Sequence, residues 1–258
     1  MVNVLDEAKL MIDMSYLENV ERLLGKYGAV TDDYFRESSY WRFFNNKIQT
    51  IAKGKTSRTS EGLYVHHIDE YEYANLGNRF YIRFYGYPFD TQKADRLVYA
   101  NLLEHLVLHL LIAVETNGEF GLAGYRLLRK DIIAWYIHGN EPTVAWMRIA
   151  MAAVKLTASE ATEAINFFDR ILSDRLQPIT EEEIAIRENE RWTRRHPELV
   201  ALRIRNDTSR DRVLSQYYKY VNHKTYPTFE KFESAMLTMT GPRLLTSFTK
   251  LLRDRVKP

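Results

Sequence analysis

The chain has 258 residues, 45% hydrophobic and 27% charged, with a formal net charge of +2. That length suits one large domain or two small ones, and the apolar fraction excludes an intrinsically disordered chain. The absence of cysteine excludes disulfides and thiolate zinc sites. The longest apolar run, Leu97 to Val114, is broken by Asn101, Glu104, His105 and His109, so no membrane span is expected. Asp6, Glu7 and Asp13 stand where a secretory signal needs basic and then apolar residues. A cytoplasmic protein is the expectation.

The first element is predicted as one helix over 3–26, because Leu5, Leu10, Met11, Met14, Leu17, Val20, Leu23 and Leu24 recur at helical spacing ahead of Gly25. A second helix is predicted from Asp32 to Ala52, rich in Tyr34, Phe35, Tyr40, Trp41, Phe43 and Phe44. Core packing explains these aromatics better than nucleotide stacking. Residues 53–62 form a small-residue loop whose Lys53, Lys55 and Arg58 could serve as a linker or touch phosphates.

Four of the seven histidines then follow within fifty residues. Tyr64-Val65-His66-His67-Ile68-Asp69 reads as a short strand. Arg79 to Tyr87 alternates Phe80, Ile82 and Phe84 with Arg79, Tyr81, Arg83 and Tyr85, which predicts a second strand or hairpin, with Arg79 and Arg83 on one face. Leu102 to Ala113 is apolar except for Glu104, His105 and His109, which predicts a helix buried on most sides. Residues i and i+4 share a helix face, so His105 and His109 can hold one metal ion, with the His66-His67 pair as the source of a third ligand. Buried imidazoles need partners, and two such pairs favour a metal over separate hydrogen bonds in the core.

Further helices are predicted over 127–137, 143–155 and 159–172, the last with Ser159 as its cap. A boundary is placed near Pro178, after which Thr180 opens a charged helix over 181–195. Residues 187–258 hold 16 Lys+Arg against 8 Asp+Glu, a net of +8; the remainder hold 20 against 26, a net of −6. Such asymmetry fits either a polyanion-binding face or an ordinary solvated basic surface. Helices on either side of Gly241-Pro242 suggest a helix-turn-helix variant.

The histidine pattern resembles the HNH (His-Me finger) nucleases. Their ββα core carries a His-His pair on the first strand and, in the bacteriocin, phage and restriction forms, His-x-x-x-His on the helix. The helix histidines of that form follow an Asn by nine and thirteen residues. Here His105 and His109 follow Arg96 by those intervals, so Arg96 stands where the family has Asn. Leu97-Val98-Tyr99 and Glu104-His105 also look like phage and restriction members. The resemblance spans about 50 residues.

The helical periodicity outside the motif predicts a mainly α fold, with a helical domain of residues 1–177 that contains the small embedded ββα-metal motif implied by the resemblance at about 62–114. The charge asymmetry makes residues 178–258 a basic helical region, a candidate for binding DNA. The resemblance implies His66, His105 and His109 as ligands of one divalent ion (Zn, Mg, Mn or Ni) and His67 as general base. Arg96 would act as a second catalytic residue, gripping the scissile phosphate or replacing half of the Asn role. Asp69, Asp95 or Asn101 could supply the acceptor that an arginine lacks.

The expected activity is hydrolysis of DNA, with RNA as the other polymer, by a restriction, phage or mobile-element nuclease. One motif cuts one strand, so cutting both needs a homodimer or two binding events. The competing reading is a nucleic-acid-binding protein with a structural zinc site, which coordination of His67 would favour; a solvent-facing His67 would favour hydrolysis. A third reading is a helical interaction protein with no metal.

Overall fold

A computed structural model describes residues 3–205 and 207–256. The chain divides into two compact units, residues 1–178 and residues 179–258. In the first, helices surround a two-stranded antiparallel sheet, and the centre of the core is one helix.

The N-terminal segment is two helices, not the single one predicted. α1 (Val4–Leu10) runs into a 3-10 turn at Met11–Asp13, and α2 (Tyr16–Tyr27) starts afresh. Ser15 causes the break. Its hydroxyl accepts from the Glu18 N–H while the Glu18 carboxylate accepts from the Ser15 N–H, a reciprocal cap stronger than helix continuation. Buried Asn19 secures the turn by donating to the carbonyls of Met11 and Ser15.

α3 (Glu37–Phe44) is far shorter than the predicted 32–52. Asp32 is occupied as a loop acceptor for the Lys55 N–H, and Asn46 at φ 58° stops the helix. Tyr40 and Phe43 are buried, whereas Trp41 is exposed.

β1 (Tyr64–His67) pairs antiparallel with β2 (Leu97–Ala100), with His66 opposite Val98 and His67 opposite Leu97. The second strand is therefore not the predicted one. Residues 79–85 form α4 (Arg79–Tyr85) instead. The Asn78 side chain accepts from the Phe80 N–H, and Gly86, left-handed at φ 68°, donates back to Ile82. These two caps fix a helix whose alternating aromatic sequence imitates a strand. Ile82 is its buried residue, while Phe80 and Phe84 are exposed. Arg79 and Arg83 do not share a strand face; they donate to the carbonyls of Gln49 and Phe43. β2 is buried along its whole length, and a short apolar run of that kind is easily read as the start of the helix after it.

α5 (Leu102–Glu115) is the buried centre of this unit. Asn101 caps it by accepting from the Leu103 and Glu104 N–H groups, and Glu104 accepts from the Asn101 N–H. Glu104, 2% exposed, also accepts from Lys26 Nζ (2.8 Å) and the Tyr27 hydroxyl (2.9 Å), which ties α2 to the start of α5. Glu104→Ala should remove half of the reciprocal cap and the Tyr27 and Lys26 bonds, leaving Lys26 paired with Glu7, at a cost of about 1–2 kcal/mol in urea unfolding. Glu104→Gln, which keeps an acceptor, should cost less.

α6 (Leu122–Ile132) continues into a π turn at Ile133–Ile137, and starts five residues earlier than predicted. α7 (Ala145–Val154) and α8 (Ala158–Arg175) complete the shell around α5. The cap of α8 is Thr157, two residues before the predicted Ser159, because Glu160 completes a capping box with it.

The second unit contains α9 (Glu181–Arg195), α10 (Pro197–Ala201), α11 (Arg210–Tyr218), α12 (Phe229–Met236) and α13 (Gly241–Val256). Its separate core includes Leu199, Ile204, Leu214, Phe232, Leu244 and Phe248, with Tyr217 stacked on Phe248 at 4.5 Å. α12 and α13 both pack against α11. No described helix is long and apolar enough to cross a membrane.

Candidate metal centre

Successive residues of a strand point to opposite faces, so β1 sends His66 and His67 different ways. His66 turns toward α5, where His105 and His109 lie one above the other. One nitrogen from each of His66, His105 and His109 lies within 4.8 Å of the others. The ring centroids are 5.1 Å apart for His66–His105, 5.0 Å for His66–His109 and 4.8 Å for His105–His109. His66 and His109 are buried, at 1% and 7% exposure.

Hydrogen bonding assigns the His66 tautomer. The Tyr16 hydroxyl donates its one proton to the Ile68 carbonyl (2.8 Å). Its oxygen, 2.9 Å from His66 Nε2, must then accept from that nitrogen. His66 Nδ1 is left with a free lone pair. Among the described residues it is buried without a hydrogen-bond partner, as are His105 Nδ1 and His109 Nδ1. Leaving a buried polar atom unsatisfied costs about 1–3 kcal/mol, so three in one cluster is an expensive arrangement. A divalent cation bound by one nitrogen of each neutral imidazole, Nδ1 in His66, would offset part of that cost, and the donor set fits a borderline-soft ion.

The electrostatics point the same way. Burial drives the His66 imidazole well below its usual range, with the neighbouring His109 and His105 adding to the shift. His105 is depressed likewise, first by burial and then by His109. Burial alone brings His109 down to about 4. All three are neutral at pH 7, the form that binds metal.

Glu70, on the 3-10 turn Ile68–Tyr71 after β1, was not singled out in the sequence. Its Oε2 lies 3.6 Å from His109 Nε2 and 3.9 Å from His66 Nδ1. Burial pushes its carboxyl up to about 7, against a hydrogen bond from the Leu76 backbone that lowers it. Its position four residues after His66 was the available signal.

His67 takes no part in the cluster, and it faces no solvent either, being 4% exposed. Its ring meets Tyr34 edge-on at 4.5 Å, and its Nε2 lies 3.2 Å from Gln92 Oε1. The Gln92 amide nitrogen donates to the Leu76 carbonyl and Thr91 Oγ1, which turns its oxygen toward His67. His67 therefore donates from Nε2 and keeps Nδ1 as its basic nitrogen. Burial lowers it to about 4, against the Gln92 bond and the Asp69 charge that raise it.

Arg96 directs its fork at Asp69, with Nε donating at 3.0 Å and a second, shorter bond beside it. Asp69 is thus the acceptor among the three residues considered for that role. The pair joins the exit of β1 to the entrance of β2. In the upstream loop, Arg58 is tied to Glu61 and the Tyr27 carbonyl, while Lys53 and Lys55 are exposed.

Gly124 on α6 lets this centre form. A Cβ there would come within 2.3–2.6 Å of three ring atoms of His109. The chain matches no protein-family model, no curated protein and no solved structure, so the reading of the centre rests on its own geometry.

Proposed function

We propose that this chain is a metal-dependent phosphodiesterase of the HNH type that cuts DNA. The observation that carries the reading is the convergence of three imidazoles from β1 and α5, each with a nitrogen that no described group bonds, in the order strand, strand, helix. His66, His105 and His109 would hold one divalent ion. When bound, the ion supplies positive charge against the charge that develops on phosphate and leaving oxygen.

The remaining groups have separable tasks. His67 Nδ1 accepts a proton from the attacking water, with Gln92 holding the tautomer and Tyr34 holding the ring. A base titrating near 4 is weak at neutral pH but is fully in its accepting form. Tyr16 orients His66. Arg96 is a positioning residue, because Asp69 occupies its fork and the pair fixes the strand that carries both histidines. The basic second unit supplies sequence-independent attraction to the backbone. Water adds to phosphorus as it gives its proton to His67, and the 3′ oxygen departs and takes a proton from solvent, leaving 5′-phosphate and 3′-hydroxyl ends.

A structural zinc site is the second reading, favoured by the burial of His67 and of the cluster. Plasmid cleavage with Mg²⁺, Mn²⁺, Ni²⁺ or Zn²⁺ separates the two. Metal-dependent cutting that falls about 10²–10⁴-fold in His67→Ala, with metal content unchanged, is the expected result. A wild type that binds metal yet cuts neither DNA nor RNA would hand the lead to the structural reading.

A further inference from the structure

Glu70 presents a carboxylate to the cluster with no Lys or Arg partner among the described residues. The polar groups that face it include the two imidazoles and the Leu76 N–H. Its side chain is 17% exposed, so water does little to solvate the charge. A buried carboxyl facing neutral imidazoles is relieved either by a proton or by a cation held between them.

The distances say where that cation would sit. Atoms bound at about 2.0–2.1 Å to one tetrahedral ion stand roughly 3.3 Å apart. Glu70 Oε2 is 3.6 Å from His109 Nε2 and 3.9 Å from His66 Nδ1, only slightly wider. Those two nitrogens include the lone pair that Tyr16 leaves free on His66. The 3-10 turn that carries Glu70 follows directly from β1, so strand and turn deliver His66 and Glu70 to one point.

Resting on the three-histidine reading above, we infer that Glu70 is a fourth protein ligand of the same ion, making the centre a three-His, one-carboxylate site. The carboxylate neutralises half of a divalent charge and favours ions that accept oxygen together with imidazole. Six-coordinate ions such as Mn²⁺ or Ni²⁺ then keep two positions open for phosphate and water. A strictly four-coordinate ion is closed off by the protein.

The test is Co²⁺ binding to the full chain, read by visible absorption and by competition with a chelator, in wild type, Glu70→Gln and His105→Ala. Wild type should bind one Co²⁺. Glu70→Gln should bind at least about 10-fold more weakly with a changed spectrum, and His105→Ala should also lose affinity. If the wild type takes up no Co²⁺, the three-histidine reading fails and this inference with it. If wild type binds and His105→Ala does not, while Glu70→Gln matches wild type in affinity and spectrum, only the Glu70 assignment is overturned. Should Glu70→Gln fail to fold, a crystal structure of Mn²⁺-soaked wild type decides: Glu70 in the coordination sphere supports the assignment, and Glu70 outside it refutes it.

Discussion

Adding Zn²⁺ or Mn²⁺ to the chelator-stripped protein is expected to raise its Tm by roughly 10 °C at pH 7.5. A ligand at about 1,000 times its Kd stabilises the folded state by roughly 4 kcal/mol, and for a unit of this size each kcal/mol moves Tm by about 2–4 °C. The increment should vanish in His109→Ala, because two of three imidazoles hold an ion far more weakly than three.

The same experiment run against pH has a defined sign in the stripped protein. Burial holds His67 and His109 at about 4, and His66 and His105 well below the ordinary 6.5. Between about 6.5 and 4 the unfolded chain binds protons that the folded chain refuses. Each buried imidazole thus removes up to about 1.4 kcal/mol of stability per pH unit of acidification in that window. Glu70 works in the opposite direction. Its carboxyl is raised from 4.5 to about 7, so the folded state keeps a proton that the unfolded state has lost, and its contribution falls as pH rises through that range. Four imidazoles outweigh one carboxyl, so the stripped protein should lose stability steadily below pH 6.5. A flat Tm from pH 7 to pH 5 would contradict the buried neutral cluster.

Gly124→Ala is expected to cut the metal-induced stabilisation to about a third or less while leaving the stripped protein close to wild type. Two effects compete at this position. Alanine is the better helix former by about 1 kcal/mol, and α6 is an ordinary helix there. The new Cβ, however, meets Cε1, Nδ1 and Nε2 of His109 at 2.3, 2.4 and 2.6 Å. Without metal the ring can rotate or shift, at an overpacking cost of about 1–3 kcal/mol that the helix gain partly cancels. With metal the ring must stay, so the clash falls on binding, and affinity should drop about 100-fold or more. Chelator competition measures this directly. Unchanged affinity would mean that the His109 ring sits elsewhere when the ion is bound.

What could be read before the fold was known concerns residues that are near in sequence. The i, i+4 pair His105 and His109 needs only helical periodicity to share a face, and the Tyr64–His67 strand needs only its local apolar pattern. Asn101 and Glu104 were legible as polar breaks in an apolar run, and the structure makes them the reciprocal cap of α5. Where local signals were ambiguous, tertiary contacts decided. Residues 79–85 carry a strand-like alternation, yet they are helical, held by Arg79 and Arg83 on the carbonyls of Gln49 and Phe43 as well as by their own caps. Leu97–Ala100 is too short and too apolar for its period to be read, and becomes a strand because β1 lies beside it.

The sequence alone determined the imidazole inventory and the spacing that permits a shared ion, because periodicity is a property of neighbouring residues. Only the tertiary structure separated His66 from His67. Adjacent strand positions face opposite ways, and which face meets α5 depends on packing over dozens of residues. The same long-range packing brought Tyr16, Gln92 and Gly124 to the histidines, and no local pattern encodes such contacts.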